Sequence, residues 1–182
     1  MLSSEDKRAL LKIAREVIEH ELLGKKSGPV VPTNPSLLAR KAVFVTLLKE
    51  KGLRGCIGRI EPQQPLFQTV SQMAQAAAFD DVRFLPLTVS ELSQIVIEIS
   101  VLSAFEPLTD VNALQIGRHG LLIRRGSSSG LLLPQVASQN RWSAEAFLNH
   151  TCLKAGIPVD AWQKPGTELF TFSAEVFSEE DV

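Results

Sequence analysis

The sequence predicts an α+β fold in which helices pack on a largely antiparallel sheet. Three observations predict it. AVFVTLL (42–48), KEKG (49–52) and LRGCIGRI (53–60) read as strand, turn and returning strand. QIVIEISVLS (94–103) alternates Ile97, Ile99 and Val101 against Glu98 and Ser100, the period of a strand with one buried face. Between and around these runs, apolar residues recur at helical spacing in three segments.

The first helix begins at Ser3 or Ser4, either of which can cap it, with Glu5 and Asp6 at its positive end. Leu10, Ile13, Ala14, Val17, Ile18 and Leu22 form one stripe, and Gly24 stops the helix. SGPVVPTNP (27–35) holds three prolines and reads as an extended connector. After the hairpin, EPQQP ends the strand and Pro65 suits the first turn of a second helix over 65–79. Leu66, Phe67, Val70, Met73, Ala74, Ala77 and Ala78 give that helix an apolar face, and its small alanines suit close approach to a sheet. DDVRFLPLTVSEL is a loop with one helical turn at 88–92. The stretch 113–134 reads as short strands around glycine turns, ending in LLLPQV. WSAEAFLNHTCLKAG (142–156) is a helix capped by Ser143, with Phe147, Leu148, Cys152 and Ala155 buried. ELFTFSAEVF (168–177) is a final alternating strand.

Composition narrows the function classes. The 182 residues carry 19 Lys and Arg against 20 Asp and Glu, which excludes a protein that coats polyanions through bulk charge. The middle of the chain, 27–164, holds 13 basic and 10 acidic groups, so a small anionic ligand or a short nucleic-acid stretch is permitted there. Two cysteines exclude a disulfide framework and a four-cysteine zinc or iron–sulfur site. Three histidines and the absence of HExxH leave little material for a metal centre. No apolar run approaches the roughly 20 residues of a membrane helix, and MLSSEDKRALLK lacks a signal-peptide core. A reducing compartment, the cytoplasm, is expected.

LRGCIGRI is the least ordinary segment. As a regular strand it places Arg54, Cys56 and Gly58 on one face. Gly55 and Gly58 weaken a strand, so they leave room for a ligand or for another chain segment to approach. Arg54 beside Cys56 would favour the thiolate. The competing reading is a small packed cysteine in a tight hairpin whose glycines serve a bulge. Glu98, in the middle of its strand, is either an acid–base group sharing a surface with Cys56 or half of a solvated pair with Arg54. His119, between glycines in IGRHGL, is either a base for Cys56 or a plain loop histidine. Cys152 lies on a helix stripe and reads as buried. Asp80, Asp81 and Arg83 follow the second helix; the aspartates read as acceptors for backbone N–H groups and for Arg83. No phosphate-binding glycine loop and no GxSxG elbow occurs.

Taken in order, LRGCIG, AAAFDDVRF, IEISVLS, IGRHGL, LLLPQV and WSAEAFLNHTCLKAGI resemble the AMMECR domain family, whose prokaryotic members are called AmmeMemoRadiSam system protein A. The resemblance runs from the first helix to ELFTFSAEVF. It implies one α+β domain with a larger and a smaller subdomain and a cleft between them. It gives Arg54, Cys56 and Gly58 site status; the residues themselves add Gly55 and Arg83 as further ligand-binding candidates and Glu98 and His119 beside Cys56 as catalytic ones. It also implies Memo-like and radical SAM proteins as partners in a modification system. This chain lacks CxxxCxxC, so it is not the radical SAM component. The resemblance names no cofactor and no established activity. Two classes of function follow as expectations: a cysteine-centred enzyme component, or a module binding a small molecule, nucleic acid or partner chain.

Overall fold

The computed structural model describes residues 1–25 and 32–181; most of the connector 27–35 lies outside them. The chain divides into two compact units, 1–101 with 175–182, and 102–174.

The first unit opens with helix α1 (Ser4–Leu23). Ser3 and Asp6 form a reciprocal capping box: the Asp6 N–H donates to Ser3 Oγ at 3.1 Å and the Ser3 N–H to Asp6 Oδ2 at 3.2 Å. Gly24 ends the helix at φ 63°, a left-handed conformation that glycine adopts without strain. Asp6 is buried and also accepts from Asn34 and from Ser36 Oγ at 2.8 Å. Those bonds tie α1 to a one-turn helix, α2 (Pro35–Leu38), capped by Asn34. The sequence reading made Pro35 part of an extended connector. Its ring instead occupies the first helical turn, where a missing N–H costs nothing.

The sheet of this unit has the order β2-β1-β3-β8, with β1 Val43–Lys49, β2 Gly52–Arg59, β3 Ile95–Leu102 and β8 Ala174–Ser178. β1 pairs antiparallel with both β2 and β3, so the three expected strands share one sheet. Glu50 and Lys51 carry the hairpin turn at φ 52° and 63°, the two positive values of a type I′ turn. Helix α3 (Leu66–Phe79) buries the apolar face expected of it. Val43, Val45, Leu47, Ile95, Ile97, Ile99, Val101 and Phe177 form the sheet's share of a core to which α3 and Leu10, Ala14 and Ile18 of α1 contribute. At about 25 cal/mol per Å² of apolar area, this stripe-to-face burial is the main source of the unit's stability.

The second unit contains a sheet of order β4-β7-β5-β6, with β4 Glu106–Pro107, β5 Gly120–Arg125, β6 Ser128–Leu132 and β7 Glu168–Phe172. Helices α4 (Pro134–Gln139) and α5 (Ala144–Lys154) accompany it. Ser143 caps α5 as expected, and Phe147, Leu148 and Cys152 pack with Leu121, Ile123 and Ala137. Two readings change here. LLLPQV is the end of β6 followed by α4, because Pro134 again sits in a first helical turn. The run 168–177 is two strands in two sheets, broken at Ser173. Ser173 accepts from the Ser103 N–H at 2.9 Å and donates its own N–H to Ser103 Oγ at 3.0 Å. Alternation reports faces, and nothing in it marks a change of sheet.

Candidate functional site

β2 is an edge strand whose register decides what surrounds Cys56. Thr46 opposes Cys56, Leu47 opposes Gly55, and then the ladder slips, so Leu48 opposes Leu53. Arg54 is the extra residue of this bulge and leaves the alternation. Its guanidinium turns to Glu91, with Nε donating to Oε1 at 2.9 Å and Nη2 to Oε2 at 3.0 Å. Lys49 Nζ joins the same carboxylate at 3.2 Å. Glu91 is therefore held well below the usual carboxylate range, first by Arg54 and then by the Thr88 N–H and Lys49. The expected juxtaposition of Arg54 with Cys56 and the alternative Arg54–Glu98 pair both give way to this Arg54–Glu91 pair.

The two glycines answer to the chain itself. A Cβ on Gly55 would stand 2.1 Å from the Ala77 carbonyl oxygen, so α3 lies directly on the strand there. A Cβ on Gly58 would stand 2.1 Å from Phe44 Cδ1, so the Phe44 ring covers that glycine from the neighbouring strand.

The outer edge of β2 is closed at Cys56 by the loop after α3. The Cys56 N–H donates to Asp81 Oδ2 at 2.8 Å, and Arg83 Nη2 donates to the Cys56 carbonyl at 3.1 Å. Arg83 also grips Asp81 through Nε at 2.9 Å and Nη2 at 2.6 Å. Asp81 is buried, and Arg83 drives its carboxyl far below the ordinary value, with the N–H groups of Cys56 and Arg83 adding to the effect. The Arg83 guanidinium is in turn held more basic, chiefly by Asp81 and in small part by the Cys56 sulfur. Arg83, rather than Arg54, is thus the guanidinium that interacts with the Cys56 sulfur. Both guanidinium groups lie against the Phe84 ring, at 5.9 Å for Arg54 and 5.6 Å for Arg83.

Because both backbone groups of Cys56 point outward, Thr46 and Cys56 form a non-hydrogen-bonded pair, the arrangement that brings side chains closest. Thr46 Oγ1 donates to Cys56 Sγ at 3.3 Å. On its other side Thr46 opposes Glu98. Cys56, Thr46 and Glu98 therefore form one row across three strands, on the face opposite Ile97 and Ile99. Thiol and carboxylate positions are separated by two strand spacings, about 10 Å. Burial and the Asp181 carboxylate push the Glu98 carboxyl above its ordinary value. Glu98 makes no hydrogen bond or ion pair among the described residues. Two positions along β3, Ser100 is 1% exposed and its Oγ has no partner. Phe44, Leu48 and Val96 supply half-buried apolar surface on the same face.

The remaining candidates lie in the second unit. His119 Nδ1 accepts the Gln115 N–H at 3.3 Å, which closes the turn 115–119. Cys152 is fully buried and burial raises its thiol pKa. Among the described residues no cluster of three His, Cys, Asp or Glu side chains is placed to hold a metal, and no helix is long and apolar enough to cross a membrane.

Sequence reasoning reached Asp81 as a backbone acceptor but not its target, it put Ser100 on one surface with Glu98 and Cys56 without a role, and it passed over Thr46 and Glu91. Glu91 had a signal, since Thr88-x-x-Glu91 is a capping box and the structure forms it. Thr46 follows from counting back across the hairpin turn. Ser100 had no role in the sequence, because a serine on a strand face is ordinary until its hydroxyl is seen to lack a partner.

An edge strand carrying a backbone-clamped cysteine on a helix-backed antiparallel sheet defines the class of this fold and site. The AMMECR1 family model matches residues 11–177, and the chain belongs to that family. A protein of Methanothermobacter thermautotrophicus is 44% identical over 186 residues, covering 98% of this chain and 97% of its own. Protein MK0488 of Methanopyrus kandleri is 42% identical over 189 residues, with 99% and 91% covered. The crystal structure of the uncharacterized protein PH0010 from Pyrococcus horikoshii superposes with a TM-score of 0.88 at 39% identity, covering 95% of this chain and 91% of that one.

Proposed function

We propose that this AMMECR1-family chain is a cysteine-centred enzyme component, with Cys56 as the group that reacts with or carries a substrate. The carrying observation is the clamp on Cys56. Asp81 holds its N–H and Arg83 its carbonyl, so a half-buried thiol stands at a fixed position with a guanidinium beside it. A fixed nucleophile has already lost the freedom that would otherwise oppose reaction. The Arg83 guanidinium interacts with the Cys56 sulfur, and Thr46 Oγ1 donates a hydrogen bond to it. Glu98, about 10 Å away on the same face, is beyond hydrogen-bond reach of the sulfur and addresses the far end of a substrate. Memo-like and radical SAM partners belong to this proposal through the family resemblance, and co-purification of the three proteins tests that part.

A non-catalytic binding module is the second reading. In it Cys56 is merely packed, and Gly55 and Gly58 favour that, since their places are filled by Ala77 and Phe44 and they serve close packing of the chain rather than access to the thiol. The rate of Cys56 alkylation by iodoacetamide in the folded protein separates the two. A cysteine-centred component labels readily at Cys56, and Arg83→Gln slows it. Slow labelling that ignores Arg83→Gln leaves the binding module.

A further inference from the structure

Glu98 and Ser100 lie on one face of β3, two residues apart, and neither is used by the fold. Glu98 is a half-buried carboxyl without a hydrogen bond or ion pair among the described residues, and Ser100 Oγ is a buried hydroxyl without a partner. Unsatisfied polar groups at such depth are destabilising, and structures seldom retain them where nothing binds. Arg15 and Glu179, which reach the same strand through the Ile95 carbonyl and the Ile97 N–H, are engaged with each other. What the pair lacks is hydrogen-bond donors and, at Glu98, a positive charge.

We infer that Glu98 and Ser100 form the seat for a primary ammonium group of the substrate whose other end reacts at Cys56. An ammonium has three N–H donors and one positive charge, enough to serve a carboxylate and a hydroxyl together. An anionic ligand is disfavoured there, since Asp181 already repels negative charge at Glu98. The row also sets a length. Thiol and carboxylate positions stand about 10 Å apart, and each contact takes up about 3 Å, so roughly 4–6 Å separate the nitrogen from the reacting carbon. That is a link of about three to four bonds. Phe44, Leu48 and Val96 offer the apolar surface along which such a link would lie. The identification deepens the cysteine-centred reading and rests on it for the reacting end, while the seat itself stands on β3 alone.

The test uses S-(ω-aminoalkyl) methanethiosulfonates with two to six methylenes, whose ammonium lies three to seven bonds from the reacting sulfur, each beside its uncharged S-alkyl counterpart. In the reaction the Cys56 thiolate forms an S–S bond and methanesulfinate leaves. With the seat in place, the probes with three- and four-bond links modify Cys56 about tenfold faster than their uncharged counterparts, the factor of a half-buried charge pair. Glu98→Gln brings the ratio to about one, and Ser100→Ala lowers it part way. A ratio near one at every length, or an excess independent of length or of Glu98, overturns the inference and leaves the reactive cysteine standing. If neither probe labels Cys56, the cysteine-centred reading fails, and n-pentylammonium binding to Cys56→Ser, followed by NMR of the Glu98 carboxyl, decides the seat. A shift of that carboxyl lost in Ser100→Ala supports the seat; no shift up to millimolar probe refutes it.

Discussion

Replacing Gly55 by alanine would push one methyl group into the contact between β2 and α3. The new Cβ would lie 2.1 Å from the Ala77 oxygen and 3.2 Å from the Ala77 carbonyl carbon, both backbone atoms in the last turn of α3, on its buried face. Neither can rotate away, so α3 must withdraw by about 1 Å to reach ordinary contact, loosening Ala74, Ala77 and Ala78 together. Overpacking of this kind costs about 1–3 kcal/mol, and the rigid obstacle places Gly55→Ala at the upper end. Restriction of the unfolded chain returns about 0.4–1 kcal/mol, for a net loss of about 2 kcal/mol. Gly58→Ala meets a side-chain ring instead of backbone, 2.1 Å away, on a half-buried face. About 1 kcal/mol is expected there, and Phe44→Ala should relieve it. Urea unfolding gives both values from the shift in midpoint at constant slope. A loss below about 0.5 kcal/mol for Gly55→Ala, or a larger loss for Gly58→Ala, would refute the close approach of α3.

Ile99→Ala removes a fully buried side chain from the central strand and should cost about 2–5 kcal/mol in the same melts. Asp81 and Glu91 have folded pKa values below their unfolded ones, so their stabilisation is present above about pH 4 and is lost as pH falls further. Asp81→Asn should therefore lower stability at pH 7 and flatten its decline below pH 4; an unchanged acid limb would contradict the clamp. Glu98 has the opposite sign. Its raised pKa gives a contribution present below about pH 4.3 that is lost as pH rises through the folded value. Glu98→Gln should be neutral or stabilising at pH 7 and gain less at pH 4.5, and a clear loss at pH 7 would mean Glu98 has a cationic partner.

The helices and the first sheet were legible because burial imposes a period. Leu10, Ala14 and Ile18 repeat by helical turns, and Ile97, Ile99 and Val101 by alternation, and each set is buried on the expected face. Cys56, Glu98 and the Asp81–Arg83 bond were also visible as residue types in suspicious places. Their arrangement was not. A one-residue bulge moves Arg54 to Glu91, and no alternating pattern records an extra residue. The split of 168–177 between two sheets escaped for a related reason, since the residue pattern runs on through Ser173 and nothing in it marks a change of sheet. Pro35 and Pro134 read as helix breakers, whereas the first turn of a helix accepts them.

The most direct test of the Cys56 site is alkylation of the native protein with a small reagent, followed by peptide mapping. Cys56 is half-buried beside Arg83, while Cys152 is fully buried among Phe147, Leu148 and its neighbours with its thiol pKa raised. Modification is expected at Cys56 in the folded protein, with Cys152 protected until denaturant is added. Labelling of Cys152 first, or silence at Cys56 until unfolding, would contradict a functional thiol on β2.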